Sequence, residues 1–168
     1  MIGCLSYYRQ WDLKHRLEKY MKINVLVDDM SFSDKNEIIF RALNESTDSS
    51  NEVSLSYLNL TNHIMDVNFA IVNMSEIYNM YWSLLVATSV DTAKILSKAA
   101  VNAKKVYFMW DLSIILKTFD LEETKLCLSK LSLLTRSTEH SRIIKDTFGL
   151  ESKVVPIFNL GEIWNLHA

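Results

Sequence analysis

The chain has 168 residues, 49% of them hydrophobic and 23% charged, with 18 Lys and Arg against 20 Asp and Glu for a net charge of -2. This is the balance of an ordinary folded domain, and it excludes an intrinsically disordered chain. The basic residues are scattered among the acids without the basic face that nucleic-acid phosphates demand, so no nucleic-acid partner is expected.

A chain of this length buries roughly 70% of the surface it exposes when unfolded, enough for one domain. Cys4 and Cys127 are far apart and have no Cys or His at ligand spacing beside them, which argues against a disulfide framework and a structural zinc site. A reducing compartment follows as the simpler assumption. No run approaches the roughly 18 to 20 consecutive apolar residues of a spanning helix, and the first residues lack the order of a secretory signal. A cytoplasmic protein with no membrane span is the expectation.

Residues 1–21 predict an amphipathic helix capping the domain, with Leu5, Tyr8, Leu13, Leu17 and Tyr20 at helical spacings. A membrane-surface helix is the alternative, but Asp12 and Glu18 dilute its few basic residues. The domain proper spans 22–168. Ile23 to Val27 predict a buried first strand, and a polar loop leads to a helix over about Lys35 to Asn44, capped by Asp34, with Ile38, Ile39, Ala42 and Leu43 inward. Val53 to Leu58 alternate with Ser, the period of a strand buried on one face, which suits an edge.

Val67 to Val72 predict a third strand ending at Asn73, and Leu84 to Ala87 a short fourth. Thr88 and Ser89 cap a helix predicted from Val90 to about Ala103, with Ala93, Ile95, Leu96, Ala99 and Ala100 buried. KKVYFMWDLS, from Lys104 to Ser113, is the fifth strand and the centre of the reading: an apolar run that stops at Asp111. Residues 121–130 read as helix and Leu131 to Thr135 as the sixth strand. A helix closed by Gly149 and a seventh strand from Val154 to Ile157 complete the chain. Pro156 lies in that last strand, which belongs at an edge or the exit. Strands alternating with helices predict an α/β fold, a Rossmann-like three-layer sandwich with a mostly parallel sheet of six to seven strands.

In open α/β sheets ligands sit outside the carboxyl ends of the strands, where Asp111 falls. No G-x-G-x-x-G, G-x-x-x-x-G-K-[ST] or G-x-S-x-G pattern occurs, and with three glycines in the chain a phosphate-cradling loop is not expected. No cofactor and no metal pattern emerge, since His15, His63 and His167 have no evident partners. Asp111 is the candidate general base, and it fits a cap or turn as well. Asp28 and Asp29 can accept from ligand hydroxyls or simply form the turn. Ser89 and Ser137 begin helices, where free N–H groups bind anions or take a plain cap. His140, beside Glu139, can face the same crevice or be a surface residue. Asn73 and Glu76 would line the cleft if the strand order is as expected. Tyr78, Met80, Tyr81, Trp82 and Trp110 serve as stacking platforms, as core, or, for the first four, as a protein interface.

Three stretches resemble the N-terminal domain of GT-B glycosyltransferases, especially the family 4 and family 1-like enzymes. VATSVDTAKIL (86–96) is similar to their strand-turn-helix opened by Thr-Ala, and KKVYFMWDLS to the strand that follows. LLTRSTEHSRIIKDTFGLESKVVPIFNL (133–160) resembles the last strand, Ser-capped helix, Phe-Gly stop and Val-Val-Pro exit of that domain. The resemblance covers residues 22–160 and departs from the family in having no Gly in DDMSFSD after the first strand. It implies the acceptor-side half of a glycosyltransferase-like protein, the donor-binding domain being absent. Such a half binds a sugar or glycan acceptor or works with a separate donor-binding partner. The alternative is a noncatalytic interaction module on the same fold, engaging another protein or a second copy. An enzyme on an unrelated Rossmann-like fold is the third possibility.

Overall fold

The computed structural model describes residues 21–47, 51–61, 66–117 and 120–166. The predicted N-terminal helix lies outside them apart from Met21, as do Cys4, His15, His63 and His167. Seven parallel strands form one sheet in the order β3-β2-β1-β4-β5-β6-β7: β1 (Lys22–Asp29), β2 (Glu52–Asn59), β3 (Ala70–Asn73), β4 (Leu84–Ala87), β5 (Lys104–Met109), β6 (Ser132–Thr135) and β7 (Lys153–Val154). Helices cover both faces, so the fold is the expected α/β three-layer sandwich of Rossmann-like form.

Side-chain alternation along the central strands builds the two outer layers. Val25 and Val27 of β1, Leu84 and Val86 of β4, and Val106 and Phe108 of β5 face α1 (Asp34–Ser46) and α6 (Leu160–Asn165), packing on Ile39, Phe40, Leu43, Leu160 and Ile163. Leu26, Leu85, Ala87, Tyr107 and Met109 face the other way, toward α2 (Val90–Lys98), α3 (Ser113–Leu116), α4 (Leu121–Leu128) and α5 (Thr138–Phe148). Each of the buried Val, Leu, Ile, Phe and Met side chains among them contributes roughly 1.5 to 3 kcal/mol relative to exposure.

Several expectations are corrected. The serine alternation of β2 does not mark an edge, because β3 pairs outside it and Ser54 and Ser56 are buried. Their small size lets the 3-10 turn Met74–Tyr78 pack over that side of the sheet, and the Asn24 amide donates to Ser54 Oγ at 2.8 Å. The third strand is the edge and starts only at Ala70; Phe69 before it is buried against Phe40. Asp34 is not the cap of α1. Ser33 is extended, φ -156°, and its hydroxyl accepts from the Asn36 N–H, so Asp34 is the first helical residue. Phe40 and Asn36 face inward in that helix while Ile38 points out.

The helix after β4 stops at Lys98 rather than about Ala103, since Ala99 is extended with ψ 123°. Ala99 remains buried, Ala100 is exposed, and Thr92 and Ser97 are buried instead. The last strand is an edge as expected, but Pro156 lies beyond its two residues. The fifth strand ends at Met109 rather than running to Ser113, which instead opens a short helix, and the C-terminal helix Leu160–Asn165 was not expected. Other landmarks agree: β4 has the predicted limits, and α5 is capped by Ser137 and closed by Gly149 at φ 67°.

Candidate functional site

The strand order reverses between β1 and β4. From β1 the chain passes through α1, on one face, to β2; from β4 it passes through α2, on the other face, to β5. The helices therefore part at the carboxyl ends of β1 and β4, the switch point at which open α/β sheets generally form the crevice that takes ligands.

Asp28 and Asp29 are the last two residues of β1, where the sequence placed them just after it. Asp28 reaches across the crevice: its Oδ1 accepts from the Ser89 hydroxyl, and its Oδ2 is 3.7 Å from Lys35 Nζ. Ser89 is at once the N-cap of α2, accepting from Thr92 N–H at 3.1 Å, while its own N–H donates to Thr92 Oγ1 at 3.0 Å to close a capping box. Thr88 ties this turn back to β1, its hydroxyl donating to Leu26 O at 2.8 Å.

Asp29 is committed to its own turn. Its Oδ1 accepts from Ser31 N–H at 2.8 Å and from the Ser31 hydroxyl, and that hydroxyl does most to hold the carboxyl below its ordinary range. Burial opposes the shift, and Ser31 N–H, Lys35 and Asn36 reinforce it. The Asn36 amide clamps the loop by donating to Asp29 O at 3.1 Å and Ser31 O at 2.8 Å. A glycine-free β1–α1 connection is thus stabilised by side-chain hydrogen bonds rather than by close backbone approach.

Asp111 stands on the same rim two residues after β5, exposed, and accepts from Ser113 N–H at 2.8 Å. Partial burial pushes its carboxyl up, but the Ser113 side chain and N–H, Lys35 and Lys117 outweigh it and leave the group below the usual range. Asp111 is consequently ionised at neutral pH and able to accept a hydrogen bond. Lys35 interacts with Asp28, Asp29 and Asp111 together. No motif singles out this lysine; only its position one residue inside α1, near carboxylates at the ends of β1 and β5, reveals it.

The other candidates lie farther out. Asn73 ends the edge strand β3, two strands from β1, and caps the 3-10 turn by accepting from Ser75 N–H at 3.0 Å; Glu76 lies in that turn. Ser137 caps α5 by accepting from His140 N–H at 3.1 Å, and both follow β6, on the far side of β5 from the crevice. The Trp110 ring joins the core, stacked on Phe158 at 5.8 Å and edge-on to Phe108 at 5.1 Å, with Arg136 over it at 5.4 Å. Of the aromatic cluster, Trp82 is core while Tyr78 and Tyr81 are 54% and 71% exposed.

Two cavities lie elsewhere, one of about 200 Å³ between α2 and α4 beside Lys94 and Cys127, the other of about 410 Å³ beside Met21 and Trp164; neither is lined by Asp28, Ser89 or Asp111. Among the described residues no group of three or more His, Cys, Asp and Glu is arranged to hold a metal ion, and no helix is long and apolar enough to cross a membrane. Compared with known proteins, the chain matches no family model, no curated protein and no solved structure at a significant level.

Proposed function

We propose that the chain is the acceptor-side half of a glycosyltransferase-like protein of GT-B type, binding a sugar or glycan acceptor at the β1/β4/β5 rim. The observation that carries this reading is the pairing of Asp28 with Ser89 across the switch point, with the ionised Asp111 drawn to the same Lys35 as Asp28. Sugar hydroxyls donate to carboxylates and accept from ammonium groups, and this rim offers both through Asp28, Asp111 and Lys35. In a transfer reaction the acceptor hydroxyl would lose its proton to Asp111 as its oxygen bonds to the anomeric carbon of an activated donor sugar, while that carbon's bond to its phosphate-type leaving group breaks and the leaving group departs with the electron pair; the donor would be held by a second domain or a separate protein.

Calorimetric titration of wild type, Asp28→Asn and Asp111→Asn with mono- and disaccharides tests this. Both substitutions should preserve the fold and weaken binding tenfold or more, the scale of a hydrogen bond to a charged group. Unchanged affinity in both variants, or no saccharide binding by wild type, would overturn it.

A second reading, a noncatalytic module that pairs with another copy, is favoured by the exposed Tyr78 and Tyr81 after the edge strand. Sedimentation of wild type and Tyr81→Ser separates the two: a dimer lost on substitution supports the module, and a monomer in both removes it.

A further inference from the structure

Of the two cavities, the one of about 200 Å³ between α2 and α4 is the more highly charged. Lys94, Lys98, Lys117 and Lys130 line it against Asp120 and Glu123, an excess of positive charge in a chain whose net charge is -2. Both acids are accounted for locally. Asp120 is the N-cap of α4, accepting from Glu122 and Glu123 N–H at 2.9 and 3.0 Å, and Glu123 lies in that first turn, where free N–H groups favour negative charge. The lysines have no such partners: among the described residues none of the four forms an ion pair. Lys98 complements the carboxyl end of α2, and Lys117 acts on Asp111 from a distance. Lys94 and Lys98 nevertheless stand one turn apart on the same helix face, where like charges repel.

Buried polar side chains of both helices line the same cavity, Ser97 at 5% exposure and Thr124 at 7%. The Ser97 hydroxyl donates to Lys94 O at 2.8 Å and meets the Cys127 thiol, joining α2 to α4. The Thr124 hydroxyl makes no hydrogen bond with any described residue and is left for a ligand. The space far exceeds the roughly 10 to 15 Å³ that one water needs, so it admits a group of several heavy atoms. Ammonium groups around a hydroxyl donor suit a group with several oxygens and more than one negative charge, and phosphate is such a group at neutral pH. The charge is confined to this cavity and does not continue as a basic stripe, which favours a small molecule over a nucleic-acid backbone.

We propose that the cavity between α2 and α4 binds a phosphate group of a small molecule, the Lys94 and Lys98 ammonium groups pairing with its oxygens and the Thr124 hydroxyl donating to one of them. The site is separate from the strand-end rim and stands whether or not that rim takes a sugar.

The experiment is calorimetric titration at low salt with pyrophosphate, inorganic phosphate, ADP and acetate. The proteins are wild type, Lys94→Gln/Lys98→Gln, Thr124→Val, and Lys125→Gln/Lys145→Gln, which removes the same charge outside the cavity lining. Wild type is expected to bind pyrophosphate more tightly than phosphate and acetate least, with affinity falling as salt is raised. The Lys94→Gln/Lys98→Gln protein should lose about tenfold in pyrophosphate affinity and Thr124→Val about fivefold, while the control stays within about twofold of wild type. ADP bound more tightly than pyrophosphate would assign the phosphate to an organic ester, and the reverse order to the inorganic anion. No binding of pyrophosphate by wild type, acetate bound as tightly as pyrophosphate, or equal losses in the cavity and control variants would overturn the proposal. Unchanged affinity in Thr124→Val would overturn it as well, because the anion would then rest on the exposed lysines and not in the cavity.

Discussion

The Ser89 hydroxyl donates to Asp28, a residue 61 positions earlier, while accepting the N–H that caps its own helix. One oxygen thus joins the end of β1 to the start of α2 and fixes the two sides of the crevice relative to each other.

Removing that oxygen has two costs. Ser89→Ala loses the N-cap, about 1 kcal/mol, and leaves Asp28 with only Lys35 opposite it. A loss of about 1 to 2 kcal/mol is expected, read as a lower urea midpoint at unchanged slope. Ser89→Thr, which keeps the hydroxyl, should stay near wild type.

The carboxyl of Asp29 is lowered chiefly by the Ser31 hydroxyl. A carboxyl lowered on folding adds stability that is full above its unfolded value near 3.9 and disappears as pH falls through the folded value. Asp111, lowered by Ser113 against its own partial burial, acts in the same sense. Ser31→Ala should therefore flatten the acid side of the stability profile. Urea unfolding between pH 2 and 6 checks it, and a profile parallel to wild type would count against the hydrogen bond.

Gly149 closes α5 at φ 67°, a region that costs a side-chain-bearing residue about 1 to 2 kcal/mol. A Cβ there would meet Lys125 Nζ at 3.9 Å, ordinary contact, so the cost of Gly149→Ala is conformational alone. Thermal unfolding should show that loss, and saccharide affinity should not change.

Phe108 is fully buried and sits 5.1 Å from both Trp110 and Phe158 in edge contact. Phe108→Ala should cost about 3 to 5 kcal/mol, enough to threaten folding. Phe108→Leu, which keeps most of the volume, should unfold at an intermediate denaturant concentration.

The layers were legible because buried strands and capped helices leave local signatures: LLVA bounded by turn residues, Ser89 and Ser137 before apolar periodicity, Gly149 after it. Patterns set by neighbours were not. Alternating serines look the same facing water or facing a closely packed turn, and only the pairing of β3 decides the matter for Ser54 and Ser56. The same holds at the rim. Asp28, Asp111 and Ser89 were visible as polar residues at element ends, whereas Lys35 acquires meaning only from the strand order that brings β1, β4 and β5 together. Asn73 and Glu76, equally polar and equally placed at a strand end, lie two strands away for the same reason.

The central claim is that ligand enters the crevice between the ends of β1, β4 and β5. Amide proton–nitrogen shift mapping during titration with the neutral sugars tests it most directly. Shifts concentrated at residues 28–35, 88–92 and 107–113 are the expected result. Shifts confined to the surface between α2 and α4, or to the β3 edge, would contradict it.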